Sequence, residues 1–508
     1  MPPIDLTRPW LRAVLALLAG AAMPLAFAPF GWFPVAVLSL AVLFHLWSRA
    51  TPRTAFALGW LFGLGLFGVG VSWINTSIGL FGGIGPALIV VITVLFVGAA
   101  AVYPGLAGWL SVRFGGPTDG VRLLLVYPAL WGLVEWLRGW FLTGFPWLAA
   151  GYAQIDSPLA GLAPLLGVYG VGWAVAFSAG GLVYGLRANG RPRWLTLAAL
   201  VLLWLGAAGL GQIHWTEPAG DSVRVSLVQG NIAQDMKWQS WERQRTLDIY
   251  AGLTRSHWDS GLIIWPETAV PAFFDQVEAE FLVPLAEEAG QHHTELLIGV
   301  PYQDPRSGAY FNSMLALGSE PGIYHKRHLV PFAEYVPLPK LFGPLMALFQ
   351  IPMSDFSSGG SARPLLTVAG HAIGLSVCYE DAFGEEMIEA LPEAAWLMNA
   401  SNDAWFGDSL APHQHLEIAR MRSRETGRWM MRATNTGVSA LIDDHGRVVA
   451  RSPLFEPDVV TGEVQPMRGM TPYARYGNGL AVVVMLVMLL IASVRSRAGV
   501  APPARGSG

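Results

Sequence analysis

Charge is distributed along this chain in a way that leaves few folds open to it. Up to His214 the sequence is almost wholly apolar, and arginine is nearly its only cation. From Trp215 to Arg475 it has the mixed composition of a globular domain, and from Gly479 to Val494 it is apolar again. Overall 53% of residues are hydrophobic and 13% charged, against about 25% charged in ordinary soluble proteins. A long uncharged stretch avoids aggregation only if lipid is its solvent. The expected architecture is therefore a multi-span helical membrane domain over residues 1–214, a water-soluble domain over 215–475, and a closing transmembrane helix with a short tail over 476–508. A net charge of −4 and the lack of any basic run give no signal for nucleic acid. The single cysteine excludes a disulfide within the chain.

A spanning helix needs about 20 mostly apolar residues. The candidates are Trp10–Phe27, Trp32–Trp47, Ala55–Asn75, Pro86–Val112, Val121–Leu137, Leu162–Leu186, Trp194–Ile213 and Asn478–Val494, about eight spans. The second is short, and the first two could instead form a re-entrant pair. Arg8, Arg12 and an apolar run ending in Ala26-Phe27-Ala28 also outline a cleavable signal. Pro29 directly after the cut would hinder cleavage, so a retained span is expected.

Arginines set the orientation, because cations of short loops accumulate on the cytoplasmic side. Arg8 and Arg12, Arg49 and Arg53, Arg113 and Arg122, Arg187, Arg191 and Arg193, and Arg495, Arg497 and Arg505 fall in alternate loops. The alternation is consistent only with both termini in the cytoplasm. The soluble domain then faces outward, which in a bacterium means a periplasmic domain on the inner membrane. Arg138 is the exception. It stands three residues after Glu135, so the two share a helix face. The plain reading is an interfacial ion pair that anchors the helix.

In the soluble domain, short and nearly continuous apolar runs alternate with helical patterns, as for strands buried on both faces. The runs are Val223–Gln229, Leu262–Trp265, Leu296–Val300, Ser313–Leu317, Ile373–Cys378, Trp396–Asn399 and Val438–Asp443. The helices are Trp241–Ser256, Phe273–Ala289, Glu385–Glu389 and Gln414–Gly427. Asp443-Asp444-His445-Gly446 reads as a hairpin turn. The class is α/β with a layered, mixed sheet.

Three residues stand out. Glu267 and Cys378 fall at predicted strand ends, where α/β sheets place their sites. Lys326 lies in Tyr324-His325-Lys326-Arg327-His328. Singly, each has an ordinary reading: a buried cysteine, a surface lysine, a glutamate near a helix start. Together they form a chemical set. Glu267 can take the thiol proton as general base. The Cys378 thiolate can attack a carbonyl carbon. Lys326 can stabilise the thiolate and the oxyanion, with the backbone N–H of Tyr379 as a second donor. His413 and His415 only superficially suggest a metal pair, since zinc needs three or four ligands. No metal and no cofactor are expected.

The segments Trp265-Pro266-Glu267, His325-Lys326 through Glu334, and Val377-Cys378-Tyr379-Glu380 resemble the three catalytic motifs of the carbon–nitrogen hydrolase (nitrilase) superfamily. Asn399 to Gly407 and Arg432 to Gly437 extend the likeness. With the flanking spans, nearly the whole chain resembles the apolipoprotein N-acyltransferase family. The resemblance implies a nitrilase-like αββα sandwich and a Glu267–Lys326–Cys378 triad. It adds Glu334 as an active-site carboxylate, Trp238 and Tyr379 as substrate-facing aromatics, and Glu380 as an orienting group. It also implies ping-pong acyl transfer through a Cys378 thioester. The donor would be a phosphatidylethanolamine-like phospholipid. The acceptor would be the α-amine of the N-terminal S-diacylglyceryl cysteine of a lipoprotein. Leu338–Phe356, apolar and broken by prolines, could lie in the membrane interface as a lid over the thioester. Competing readings are a membrane-anchored amidase that passes its acyl group to water, and a transporter carrying a degenerate domain.

The orientation is testable by labelling in a Cys378→Ala background. A cysteine placed between Arg187 and Arg193 should resist an impermeant thiol reagent in intact cells, and one placed near Arg306 should react. The reverse pattern would invert the topology.

Overall fold

The computed structural model describes residues 8–81, 83, 85–116, 118–340 and 355–498. It contains two compact units. Among the described residues, one comprises those up to 72, those from 91 to 213 and those from 478 onward, and the other those from 73 to 90 and from 214 to 477.

The first unit is helical. Seven helices among the described residues are long and apolar enough to cross a bilayer, among them Pro52–Gly70, Pro158–Arg187 and Gly479–Ser496. The second expected span is the shorter helix Pro34–Trp47, of 14 residues. It lies beside the first helix, Pro9–Ala22, where the Ser39 hydroxyl donates to the Ala19 carbonyl at 2.7 Å. Water cannot drive helices together in lipid, so close contact between small residues takes its place. Gly20 shows how close: a Cβ there would sit 1.9 Å from the carbonyl oxygen of Phe62 on the neighbouring helix.

Two expectations change in this unit. The span predicted over Ala55–Asn75 ends at Gly70. Val71 leaves helical geometry, and a new helix, Trp73–Phe81, begins and belongs to the second unit. There the Trp73 indole N–H donates to Gln414 Oε1 at 3.2 Å, and its ring meets Phe406 edge-on at 4.9 Å. The second change concerns Glu135 and Arg138, both buried. Instead of an interfacial ion pair, each ties down the following turn. The Arg138 guanidinium donates to the carbonyls of Phe145 and Trp147, and Glu135 Oε1 accepts the Ala150 N–H at 2.9 Å. Backbone groups that leave helical geometry and are shut away from water need such ligands.

The second unit is a four-layered αββα sandwich. One six-stranded sheet runs, in spatial order, Asp458–Val464, Val223–Gln229, Leu262–Ile264, Glu295–Gln303, Tyr310–Leu317, Gly322–His325. The other runs Val448–Arg451, Ala440–Ile442, Met430–Thr434, Trp396–Ser401, His371–Val377, Leu365–Val368. The three strands from Val223 to Gln303 are mutually parallel, as are the three from His371 to Thr434 in the second sheet. Leu227, Ile264 and Met314 of one sheet pack with Leu375, Trp396 and Met431 of the other in a shared core. Leu247 and Leu285 cover the outer face of the first sheet, and Leu416 and Ala419 that of the second. Apolar runs without alternation become strands here because both of their faces are covered.

The predicted helix Phe273–Ala289 forms in pieces, Phe274–Val277, a wide turn Glu278–Leu282, and Val283–Gln291. Pro284 has no N–H to continue the ladder, which accounts for the break. The hairpin turn at Asp443–Gly446 joins two antiparallel strands, with Gly446 N–H donating to the Asp443 carbonyl at 2.9 Å. Of the segment proposed as a lid, residues 341–354 lie outside the described residues.

Gly20→Leu should force the helices Pro9–Ala22 and Pro52–Gly70 apart. The expected loss is at least the ~1–3 kcal/mol typical of overpacking, read as a lower thermal midpoint of the detergent-purified protein. An unchanged midpoint would show that the contact does not hold the unit together.

Candidate active site

The predicted residues converge where strands of both sheets end. Glu267 lies just beyond Leu262–Ile264, in the turn Pro266-Glu267-Thr268. The neighbouring strand can approach that turn only because residue 299 is glycine. A Cβ on Gly299 would fall 2.0 Å from the Pro266 carbonyl oxygen and 2.9 Å from Glu267 Cα. Lys326 follows Gly322–His325, and its N–H donates to the Asn312 carbonyl at 2.8 Å. Cys378 follows His371–Val377 directly and has φ = 52°. For a side-chain-bearing residue this left-handed geometry costs roughly 1–2 kcal/mol. It turns the chain sharply at the strand end, as nucleophile-bearing turns do.

The Lys326 ammonium is only 1% exposed and is shared by two carboxylates. It lies 2.8 Å from Glu334 Oε2, 2.9 Å from Glu334 Oε1 and 3.8 Å from Glu267 Oε1. Asn312 bridges the carboxylates, its Nδ2 donating to Glu267 Oε1 at 2.7 Å and to Glu334 Oε1 at 3.4 Å. Glu334 Oε2 also accepts the Val330 N–H at 2.8 Å. Burial alone would drive Lys326 toward neutrality, but Glu334 and Glu267 reverse this and hold it firmly protonated. Burial raises Glu267 above the ordinary carboxylate range, with Glu334 adding to the rise, while Lys326 and Asn312 oppose it. Cys378 keeps some accessible surface. Desolvation, then the Glu267 carboxylate, raise its thiol well above the usual value against the pull of Lys326. In the resting site Cys378 is therefore a thiol rather than a thiolate, in the field of the Glu267 carboxylate and the Lys326 ammonium.

Glu380 is buried beneath the site and saturated. It accepts Tyr324 O–H at 2.9 Å and the N–H groups of Val377 at 2.6 Å, Arg327 at 2.6 Å and His328 at 3.0 Å. It thereby fastens the residues after Lys326 to the strand that ends in Cys378. Tyr379 is half-buried, edge-on to Phe383 at 5.0 Å and to His328 at 5.9 Å. The structure thus brings Glu267, Lys326 and Glu334 into direct contact and lets Glu380 brace them. Trp238 is half-buried and, among the described contacts, makes none with these residues.

Sequence reasoning missed several groups. Lys237 is buried, with its ammonium donating to Thr268 Oγ1 at 2.7 Å beside Glu267. Burial lowers it to about 8, against the opposing effect of Glu267. Its signal was faint, since Lys237 adjoins Trp238 in a turn-rich stretch that reads as surface. Asn312 is the lone polar amide in an apolar strand, a pattern that could have been noticed. His415, set aside as half of a false metal pair, belongs to a buried charged cluster with Asp381, Asp403 and Arg432. Among the described residues no group of acidic, histidine or cysteine side chains has a metal-holding arrangement.

Comparison with known proteins adds two kinds of finding. The profile of the apolipoprotein N-acyltransferase N-terminal domain matches residues 19–181, and that of the carbon-nitrogen hydrolase domain matches residues 224–473. A Methylococcus capsulatus protein named apolipoprotein N-acyltransferase is 50% identical over 469 residues, covering 92% of this chain and 93% of its own. Proteins of the same name from Nitrosomonas europaea and Coxiella burnetii are 43% and 41% identical. They cover 96% and 95% of this chain, and 98% and 99% of their own lengths.

A general base must be unprotonated, so if Glu267 serves as one, activity falls as pH drops through its raised pKa. In single-turnover acylation the acid limb should lie above the ordinary carboxylate value of 4.5. Asn312→Leu removes a bond that favours the charged form and should move that limb further up. A limb that stayed in place, or moved down, would mean that another group limits the acid side.

Proposed function

Because this chain belongs to the apolipoprotein N-acyltransferase family, it is a membrane-bound N-acyltransferase, and we propose that it works through a thioester on Cys378. The observation that carries this reading is the buried Glu267–Lys326–Glu334 cluster beside a protonated cysteine at a strand end.

In the first half-reaction, Cys378 Sγ attacks the ester carbonyl of a phospholipid as Glu267 takes the thiol proton. The tetrahedral oxyanion is met by the Lys326 ammonium and the Tyr379 N–H. The C–O ester bond breaks, and the departing glycerol oxygen receives the proton from Glu267. The product is an acyl thioester and a lysophospholipid. In the second half-reaction, the α-amine of the S-diacylglyceryl cysteine attacks the thioester carbonyl. Glu267 accepts the amine proton, the C–S bond breaks, and the proton returns to Sγ. An amide forms and the free thiol is restored, a ping-pong course. Glu334 keeps Lys326 charged and aimed throughout. Trp238 and the ring of Tyr379 face the substrates.

The protonation states support this assignment. A lysine held charged by two carboxylates donates hydrogen bonds without surrendering its proton. A carboxylate with a raised pKa accepts and returns one readily. The enzyme is a membrane protein, and both substrates are lipid-anchored. The alternation of arginines between loops supports cytoplasmic termini and a periplasmic catalytic domain on a bacterial inner membrane.

Incubation with phospholipid and no acceptor should leave a fatty acyl mass on the peptide containing Cys378, and added lipopeptide should discharge it. Cys378→Ala should form no adduct and no product while remaining folded. Substantial turnover by that variant would remove the thioester reading.

A further inference from the structure

The Cys378–Tyr379 peptide group has a job at both ends. Its N–H belongs to Tyr379 and is the proposed backbone oxyanion donor. Its carbonyl, that of Cys378, is gripped by two side chains. Asn399 Nδ2 donates to it at 3.1 Å, and His415 Nε2 donates to it at 3.2 Å.

Both donors are themselves fixed. Asn399 Oδ1 accepts from the Arg432 guanidinium, so its amide can present only Nδ2 to the Cys378 carbonyl. His415 faces acceptors with both ring nitrogens. Nδ1 lies 3.1 Å from Asp403 Oδ1, and Nε2 lies 3.0 Å from Asp381 Oδ1 as well as near the Cys378 carbonyl. An imidazole with acceptors at both nitrogens satisfies them only when both carry protons. Arg432 bridges the same carboxylates, 3.0 Å from Asp403 and 3.4 Å from Asp381. All four side chains are buried, so two cations and two anions neutralise one another in place. Burial and Arg432 would both lower the histidine pKa, yet Asp381 and Asp403 overcome them and raise it to about 9.

We propose that His415 is a positioning residue for acyl transfer, acting with Asn399 through the Cys378 carbonyl to fix and polarise the peptide group whose N–H receives the oxyanion. The reading rests on Cys378 as the nucleophile. A peptide group whose carbonyl accepts strong hydrogen bonds becomes a better donor at its N–H, because hydrogen bonds in series polarise one another. The same grip holds Cys378 in its left-handed backbone geometry.

Two conservative variants of the full-length protein in detergent separate this role from mere packing. In His415→Gln the amide nitrogen falls near the place of Nε2 and can still donate to the Cys378 carbonyl. In His415→Asn the amide falls near the place of Nδ1 and cannot reach it. Acyl-enzyme formation from phospholipid is compared with alkylation of Cys378 by iodoacetamide, which develops no oxyanion. The Gln variant should acylate within about 10-fold of the parent, and the Asn variant should fall by about 10²-fold, the scale of losing an oxyanion donor. Alkylation should remain close to the parental rate in both. Equal loss of acylation in the two variants, or a parallel fall of acylation and alkylation, would overturn the proposal. Alkylation of the parent should abolish its acyl transfer. If activity survived, the nucleophile reading itself would fail, independently of His415.

Discussion

A fully protonated lysine buried between two carboxylates is the interaction around which this site is built. Stripping water from Lys326, Glu267 and Glu334 is costly, and only near-ideal geometry offsets the loss. That geometry is delivered by elements far apart in sequence: the turn after Leu262–Ile264, the end of Gly322–His325, and the loop that carries Glu334. Asn312 reaches both carboxylates from a neighbouring strand. Loss of one partner from such a cluster leaves an uncompensated buried charge worth about 3–5 kcal/mol. The sandwich must therefore be rigid at these strand ends. Glu380 contributes by clamping three backbone N–H groups and the Tyr324 hydroxyl at once.

The helical unit meets the opposite constraint. There the cost falls on backbone groups that leave the helix, since lipid offers them nothing. Arg138 and Glu135 supply those partners for the turn that follows their helix. Two ionisable residues that look like an anchor on paper are side-chain ligands for a non-helical segment. The close approach at Gly20 belongs to the same economy, in which packing of small residues replaces the hydrophobic effect between helices.

Much of this was legible in sequence because burial on both faces leaves an unambiguous trace. Val223–Gln229 was read with its observed bounds, and Ile373–Cys378 ended one residue beyond the observed strand. Glu267 and Cys378 stand out because they fall at the ends of such runs, whereas Lys326 follows Gly322–His325, a short strand with no such run to mark it. What was lost is equally physical. The helix expected over Gln414–Gly427 forms as Ala411–Thr426, but its charge hides its burial, for Glu417, Arg422 and Glu425 all lie inside. Paired buried charges look like a solvated face to any reading based on hydrophobicity. Arg432 hid a central strand, Met430–Thr434, for the same reason. Asp458–Val464 was missed because it is an edge strand of mixed polarity, recognisable only by its partner Val223–Gln229. The break at Val71 has no proline to announce it. It is set by where Trp73 finds its partners.

That last contact has a consequence for how the chain is made. Trp73 and Gln414 are separated by 341 residues. At ribosomal speeds of about 5–20 residues per second, that interval lasts roughly 17–70 s. Throughout it, the helix Trp73–Phe81 has been synthesised while the surface it docks against does not yet exist. Its final placement is a late event in biogenesis, settled from the carboxyl-terminal side of the chain. A ribosome that stalled before residue 414 would leave it without that partner.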